Sequence, residues 1–208
     1  MKQILYATTN PGKLAEVQTV LKHHSLDVIG PQDLGLTIDV EESGSTLEEN
    51  ARLKTKAYLQ LVDRKNIVFA DDTGLEIDAL GGEPGITVRR WKGYKMSDEE
   101  IISYTLERLK DIPAGKRGAQ FHTVIAVGYD SQPIKYFHGF FRGEILETPR
   151  PERIAGMPFF PLFYLPSLKT SLGEFHELPI AEQLKSPTHR ELAVLSALPY
   201  LRQLTRQP

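Results

Sequence analysis

Ile67-Val68-Phe69-Ala70-Asp71-Asp72-Thr73-Gly74 is the stretch on which the reading of this chain turns. Four consecutive apolar residues have the length of a short buried strand. The run then meets two adjacent carboxylates. Charged groups next to a buried strand are unfavourable unless something compensates them. Magnesium is a natural compensator, because it is a hard cation that prefers oxygen ligands. One aspartate would then hold the ion while the other orients water. The alternative is a plain Asp-rich turn that ends the strand, since Asp favours turns.

Outward from that stretch the pattern repeats. Ile4 to Ala7 reads as another short buried strand, followed by the turn cluster Thr8-Thr9-Asn10-Pro11-Gly12-Lys13. A helix follows, with Val17, Val20 and Leu21 at helical spacing. Leu26 to Ile29 returns as a strand, and residues 30–45 form a loop carrying Asp39, Glu41 and Glu42. Thr46-Leu47-Glu48-Glu49 has capping-box spacing and predicts a helix to about Asp63. Gly81-Gly82-Glu83-Pro84-Gly85 is a second turn cluster. Ser97 and Glu100 form another capping box, opening a helix to about Lys110. Residues 119–129 and 134–145 read as two long strands of a hairpin. Residues 148–166 are rich in proline and aromatics, and Thr188 with Glu191 caps a final helix carrying Leu192, Leu195 and Leu198. Strand–helix units, then a hairpin, then a helix predict an α/β fold with a mixed central sheet flanked by helices. One domain over residues 1–208 is expected.

Composition narrows the function. At 208 residues and 40% hydrophobic content the chain can bury a sizeable core. The formal net charge of -2 lacks the basic excess of a nucleic-acid-binding protein. With no cysteine, disulfides, thiolate zinc sites and cysteine nucleophiles are excluded. The apolar run at the N-terminus is too short for a signal sequence, and no stretch has the length of a membrane span. A cytoplasmic protein without membrane partners is expected.

Three clusters carry candidate chemistry. Thr8, Thr9, Asn10 and Lys13 lie where a strand enters a helix, so free N–H groups, hydroxyls and an ammonium suit a phosphate. An ordinary helix cap is the alternative. Glu42 belongs either to a metal site or to a solvated acidic loop, with Lys54 on the helix that follows; Glu49 fits a capping role. His189 and Arg190 occupy the first turn of the last helix, where the dipole disfavours cations. That placement suggests a ligand, against the alternative of a solvent-exposed turn. His122 and His138 read as structural.

Jointly, these segments resemble the inosine/xanthosine triphosphate pyrophosphatase family, in order and over nearly the whole chain. Thr8 to Lys13 is similar to its N-terminal phosphate motif, and Glu42 with Thr46–Lys54 to its acidic loop and Glu-Asn-Ala-x-x-Lys helix. Ala70 to Leu75 followed by Gly81 to Gly85 resembles its most specific signature, with Arg90 just beyond. His189-Arg190 resembles its final motif. The resemblance implies an elongated two-lobed fold with a nucleotide cleft between the lobes, and a homodimer. It implies magnesium-dependent cleavage between the α and β phosphates of deaminated purine nucleotides (ITP, dITP, XTP). By position, Asp72 is the general base and a metal ligand, joined at the metal by Glu42 and Asp71. Asn10, Lys13, Lys54 and Thr73 contact the triphosphate alongside Thr8 and Thr9. His189 and Arg190 read the purine 6-oxo edge, and Lys185 contacts the substrate with them.

The run Gly156-Met157-Pro158-Phe159-Phe160-Pro161-Leu162-Phe163 departs from the family pattern. Pro158 stands at a glycine turn and Phe160 at a base-contacting aspartate; Phe159 offers a ring for stacking on a base. Altered base specificity, a catalytically weak nucleotide-binding protein, and a magnesium phosphohydrolase for other phosphates are the alternatives.

Overall fold

The computed structural model describes residues 2–207. Its strands are β1 (Ile4–Tyr6), β2 (Val28–Ile29), β3 (Ile67–Ile77), β4 (Pro84–Gly85), β5 (Gly118–Tyr129), β6 (Lys135–Ile145), β7 (Phe163–Leu165) and β8 (Thr170–Ser171). Its α-helices are α1 (Pro11–His23), α2 (Leu47–Leu59), α3 (Asp98–Arg108), α4 (Leu172–His176), α5 (Ile180–Gln183) and α6 (His189–Arg206). The sheet is mixed, with strand order β2-β1-β3-β5-β6-β7-β8 and β4 on β3. β1 pairs in parallel with both β2 and β3, whereas β7 is antiparallel to β6 and β8. The mixed α/β architecture follows the sequence reading. Among the described residues no helix is long and apolar enough to cross a membrane.

Two compact units share this chain. Unit 1 takes residues 2–73, 123–140 and 187–207. Its core includes Leu5, Ala7, Tyr58, Val68 and Ala70, from the parallel strands and α2. The short β1 is wholly buried, as a strand reading as a continuous apolar run should be. Helix α1 packs on α6. Unit 2 takes Gly74–His122 and Phe141–Ser186, around a core with many aromatics: Phe121, Phe159, Phe160, Phe163 and Phe175.

The caps explain where the helices begin. Asn10 accepts from the backbone N–H groups of Gly12 and Lys13 at 2.9 and 3.2 Å, and Pro11 occupies the first helical position. At α2, Thr46 accepts from Glu49 N–H at 3.1 Å, while the Glu49 carboxylate turns to Ser45. Ser97 and Glu100 make the reciprocal capping box at α3.

One element differs from expectation. The strand does not stop at Asp71: β3 runs on through Asp72, Thr73 and Gly74 to Ile77. The carboxylates do not terminate it because cations from α1, α2 and α6 meet them. Gly139 in β6 is fixed by contact, since a Cβ there would fall 2.0 Å from the His189 carbonyl oxygen. That close approach seats the strand against the first turn of α6.

Candidate active site

The site is assembled within unit 1 around Asp71 and Asp72. Successive side chains of a strand point to opposite faces, so the two neighbours have different surroundings. Asp71 is buried and accepts from four groups. Tyr6 Oη donates at 2.6 Å, Lys13 Nζ at 2.9 Å, Thr73 Oγ1 at 3.2 Å and Arg190 Nε at 3.3 Å. Asp72 accepts from Asn50 Nδ2 at 3.1 Å and from Lys54 Nζ at 3.3 Å. Lys54 also donates to Glu42 at 2.8 Å, so one ammonium bridges two carboxylates.

A second line of contacts leads from Asp71 to the last helix. Arg190 is 2% exposed and donates from Nη1 to Glu16 at 2.5 Å and from Nη2 to Thr73 at 3.5 Å. The hydroxyls of Thr73 and Thr123 lie 2.8 Å apart, and Thr123 lies 2.7 Å from His189 Nδ1. The start of α1 is tied to the cluster by Lys13. Thr8 Oγ1 accepts from Asn10 N–H at 3.2 Å, and Thr9 is exposed beside it.

Electrostatics separates the two aspartates. Burial opposes ionisation of Asp71, but Lys13, Arg190 and Lys54 outweigh it and hold the carboxyl well below its usual range. Asp72 has burial working the same way; Lys54 alone does not cancel it, and the nearby Glu42 adds to it, so its carboxyl is raised. Lys54 is kept charged: burial opposes this, and Asp72, Asp71 and Glu42 together prevail. Lys13 is lowered by burial despite Asp71.

Most sequence-expected site residues thus converge: Thr8, Asn10, Lys13, Glu42, Lys54, Asp71, Asp72, Thr73, His189 and Arg190 belong to this connected region. Phe159 and Lys185 lie in unit 2. Phe159 is buried at 3% exposure, edge-on to Phe121. Lys185 is exposed and pairs with Glu182 at 2.7 Å. Phe160 is buried too, stacked on His176 with ring centroids 4.7 Å apart.

Sequence reasoning missed Tyr6, Glu16, Asn50 and Thr123. For Glu16 the signal was present: it follows Lys13 by three residues and borders the apolar face of Val17 and Val20, an unusual place for a carboxylate. Tyr6 closes an otherwise aliphatic strand, and a buried hydroxyl needs a partner.

As a candidate metal centre, Glu42 and Asp72 fit a hard cation. Both are oxygen donors, and a single Lys54 ammonium faces the two carboxylates. Among the described residues no cluster of three or more histidines or carboxylates forms a complete cage. Two carboxylates, completed by water and phosphate oxygens, are the usual protein share of a magnesium shell.

A mixed α/β fold bearing this carboxylate–ammonium–guanidinium cluster belongs to the class built for handling phosphorylated ligands. Residues 4–200 match the model of the Ham1 family. The chain is 38% identical to the dITP/XTP pyrophosphatase of Yersinia pseudotuberculosis over 205 residues, covering 97% of this chain and 99% of that one. It is 36% identical to the dITP/XTP pyrophosphatase of Bacillus subtilis over 174 residues, 84% and 86% of the two chains. The solved Ham1 protein of Staphylococcus aureus superposes with a TM-score of 0.75 at 35% identity, covering 97% of this chain and 99% of that one. A HAM1 protein from Coxiella burnetii gives a TM-score of 0.75 at 31% identity, covering 98% and 100%. This chain belongs to the Ham1 family.

Proposed function

We propose that this protein is a nucleoside triphosphate pyrophosphohydrolase acting on deaminated purine nucleotides. Water attacks the α-phosphorus, the bond to the bridging α–β oxygen breaks, and nucleoside monophosphate and pyrophosphate leave. The names of the relatives support the activity. The observation that carries the mechanism is the Lys54 ammonium bridging Asp72 and Glu42.

In this reading Asp72 is the general base. Its raised carboxyl makes it a stronger proton acceptor than an exposed aspartate, and Asn50 orients it. Glu42 and Asp72 would hold magnesium. A bound magnesium ion supplies Lewis-acid neutralisation of phosphate charge. Lys13 and Lys54 add fixed positive charge where the triphosphate binds, and the hydroxyls of Thr8, Thr9 and Thr73 with the start of α1 add neutral donors. Asp71 is committed to Tyr6, Lys13 and Arg190, so its task is to keep those cations in place rather than to bind metal. His189 faces the base through its ring. Arg190 reaches the 6-oxo edge only by leaving Glu16 and Asp71; in this form it anchors Asp71. The reading extends to a cytoplasmic homodimer with no nucleic-acid partner.

Altered base choice is the second reading, favoured by one observation: Phe159 and Phe160 are packed into the core of unit 2. A product assay with magnesium tests both. Pyrophosphate plus monophosphate, fastest from inosine or xanthosine triphosphate, is the expected result. The same products from another base establish the second reading, and no turnover of any triphosphate overturns the enzymatic one.

A further inference from the structure

A chain of hydroxyls inside unit 1 joins Asp71 of β3 to His189 of α6. It passes through Thr73 of β3 and Thr123 of β5. Thr73 Oγ1 lies 3.2 Å from Asp71 Oδ2 and 2.8 Å from Thr123 Oγ1, and Thr123 Oγ1 lies 2.7 Å from His189 Nδ1. Thr123 is 0% exposed and His189 2% exposed, so bulk water does not replace a missing partner at either residue. Distance alone gives these contacts no direction, because hydroxyls and imidazole nitrogens each donate or accept.

Counting protons supplies the direction. Lys13 Nζ and Arg190 Nε both meet Asp71 Oδ2. Neither cation has a lone pair to accept with, so Oδ2 carries no hydrogen. Thr73 therefore donates to Asp71, and that spends its one proton. Its oxygen takes the Arg190 Nη2 proton at 3.5 Å and accepts from Thr123. Thr123 has then spent its own proton and accepts from His189, so Nδ1 carries a hydrogen. The opposite order sets a Thr73 lone pair against the Asp71 carboxylate, and a buried polar contact left unmade is costly. A phosphate that takes the Thr73 proton from Asp71 changes nothing further along, because Thr73 still has no second proton to give Thr123.

We propose that Thr123 is a positioning residue that fixes His189 as the Nδ1–H tautomer, and so makes Nε2 of the neutral ring a hydrogen-bond acceptor toward the base. A neutral imidazole has one donor and one acceptor, and the partner of one nitrogen decides the role of the other. An acceptor suits the ring N–H beside the 6-oxo group, which hypoxanthine and xanthine carry. Adenine presents a lone pair at that atom, and two lone pairs repel. Thr123 thus extends to the base a proton order that begins at Asp71. The base preference rests on the pyrophosphohydrolase reading; the tautomer does not.

Nitrogen-15 NMR of the His189 ring reads the tautomer, with the signals assigned by their loss in His189→Asn. Spectra are followed upward in pH until they stop changing and the ring is neutral. Wild type and Thr123→Ser, which keeps the hydroxyl, are expected to show Nδ1–H. Thr123→Val, which keeps the branched shape without the hydroxyl, is expected to move the ring to Nε2–H or to a mixture. The preference for inosine over adenosine triphosphate, read as a ratio of kcat/KM, is expected to fall about tenfold in Thr123→Val, the order of one buried hydrogen bond, and to recover in Thr123→Ser. A neutral wild-type ring in the Nε2–H form overturns the proposal. So does a Thr123→Val protein that loses activity on both nucleotides alike and keeps its tautomer and its preference. If Thr123→Val does not fold, the wild-type tautomer decides alone. No turnover of any triphosphate removes the enzymatic reading instead, and the same preference, read from dissociation constants, still decides this one.

Discussion

Asp71 and Asp72 are adjacent in one strand, yet Lys13 and Arg190 outweigh burial and hold the Asp71 carboxyl low, while burial and the nearby Glu42 outweigh Lys54 and Asn50 and raise that of Asp72. A single residue step along β3 therefore separates a carboxyl held below its usual range from one raised above it. Pairs of ionisable groups driven apart by their environments commonly mark acid–base assignments.

Replacing Asp72, the proposed general base, should stop the reaction without disturbing the fold. Asp72→Asn keeps the shape and the contact with Asn50, so turnover is expected to fall by about 10²–10⁴-fold, the usual share of general-base catalysis. Steady-state kinetics alongside circular dichroism checks this. Full activity in a folded variant refutes the assignment of Asp72.

Arg190 is a buried cation between two carboxylates, so removing it leaves Glu16 buried without its cation and takes one of the cations from Asp71. Arg190→Ala should cost about 3–5 kcal/mol, as breaking a buried ion pair does. Urea denaturation measures the loss. A change within experimental error shows that the network is not anchored there.

The pH dependence of stability should separate the aspartates. Asp71 has a folded pKa below its unfolded value. Its contribution is complete above the unfolded value of about 3.9 and is lost as pH falls through the folded one. The stability gap between wild type and Asp71→Asn is therefore expected to shrink on acidification. Asp72 has the opposite sign, because its folded pKa is raised. Its unfavourable contribution grows as pH rises from the unfolded toward the folded value, so Asp72→Asn gains relative stability in that direction.

Gly139 admits no side chain. Gly139→Ala drives a methyl into the His189 carbonyl and to 2.5 Å from the Ala193 N. Both are backbone atoms and cannot swing away. A loss of about 1–3 kcal/mol or more is expected from such overpacking, together with reduced activity, because His189 opens the helix that carries Arg190. Thermal melting checks the first effect and the product assay the second.

Chelation should abolish turnover while leaving the melting temperature unchanged. Glu42 and Asp72 are already gathered by Lys54, so the ion is not needed to hold the site together. Restoration by magnesium completes the test, and a collapse of the fold on chelation would assign the metal a structural role.

The elements of this protein are written locally. Apolar runs mark β1 and the start of β3, Asn10, Thr46 and Ser97 announce the helices, and the order of motifs reveals the family. Local sequence suffices there because caps, turns and hydrophobic periods act over a few residues. The site was legible only in part. Lys13, Lys54, Asp72 and Arg190 stand out as residues, but their pairings join positions far apart in the chain, such as Arg190 with Glu16. Whether Asp71 ends a strand or continues it depends on cations brought by three helices. Phe159, readable as a base-stacking ring, is drawn into the core of unit 2 because burial among Phe121 and its neighbours removes its apolar surface from water. The sequence by itself determined the main helices and strands, the family and the charged residue types; tertiary structure alone decided how far β3 runs and which charge meets which, because electrostatic energy depends on distance and burial, and neither is encoded by position along the chain.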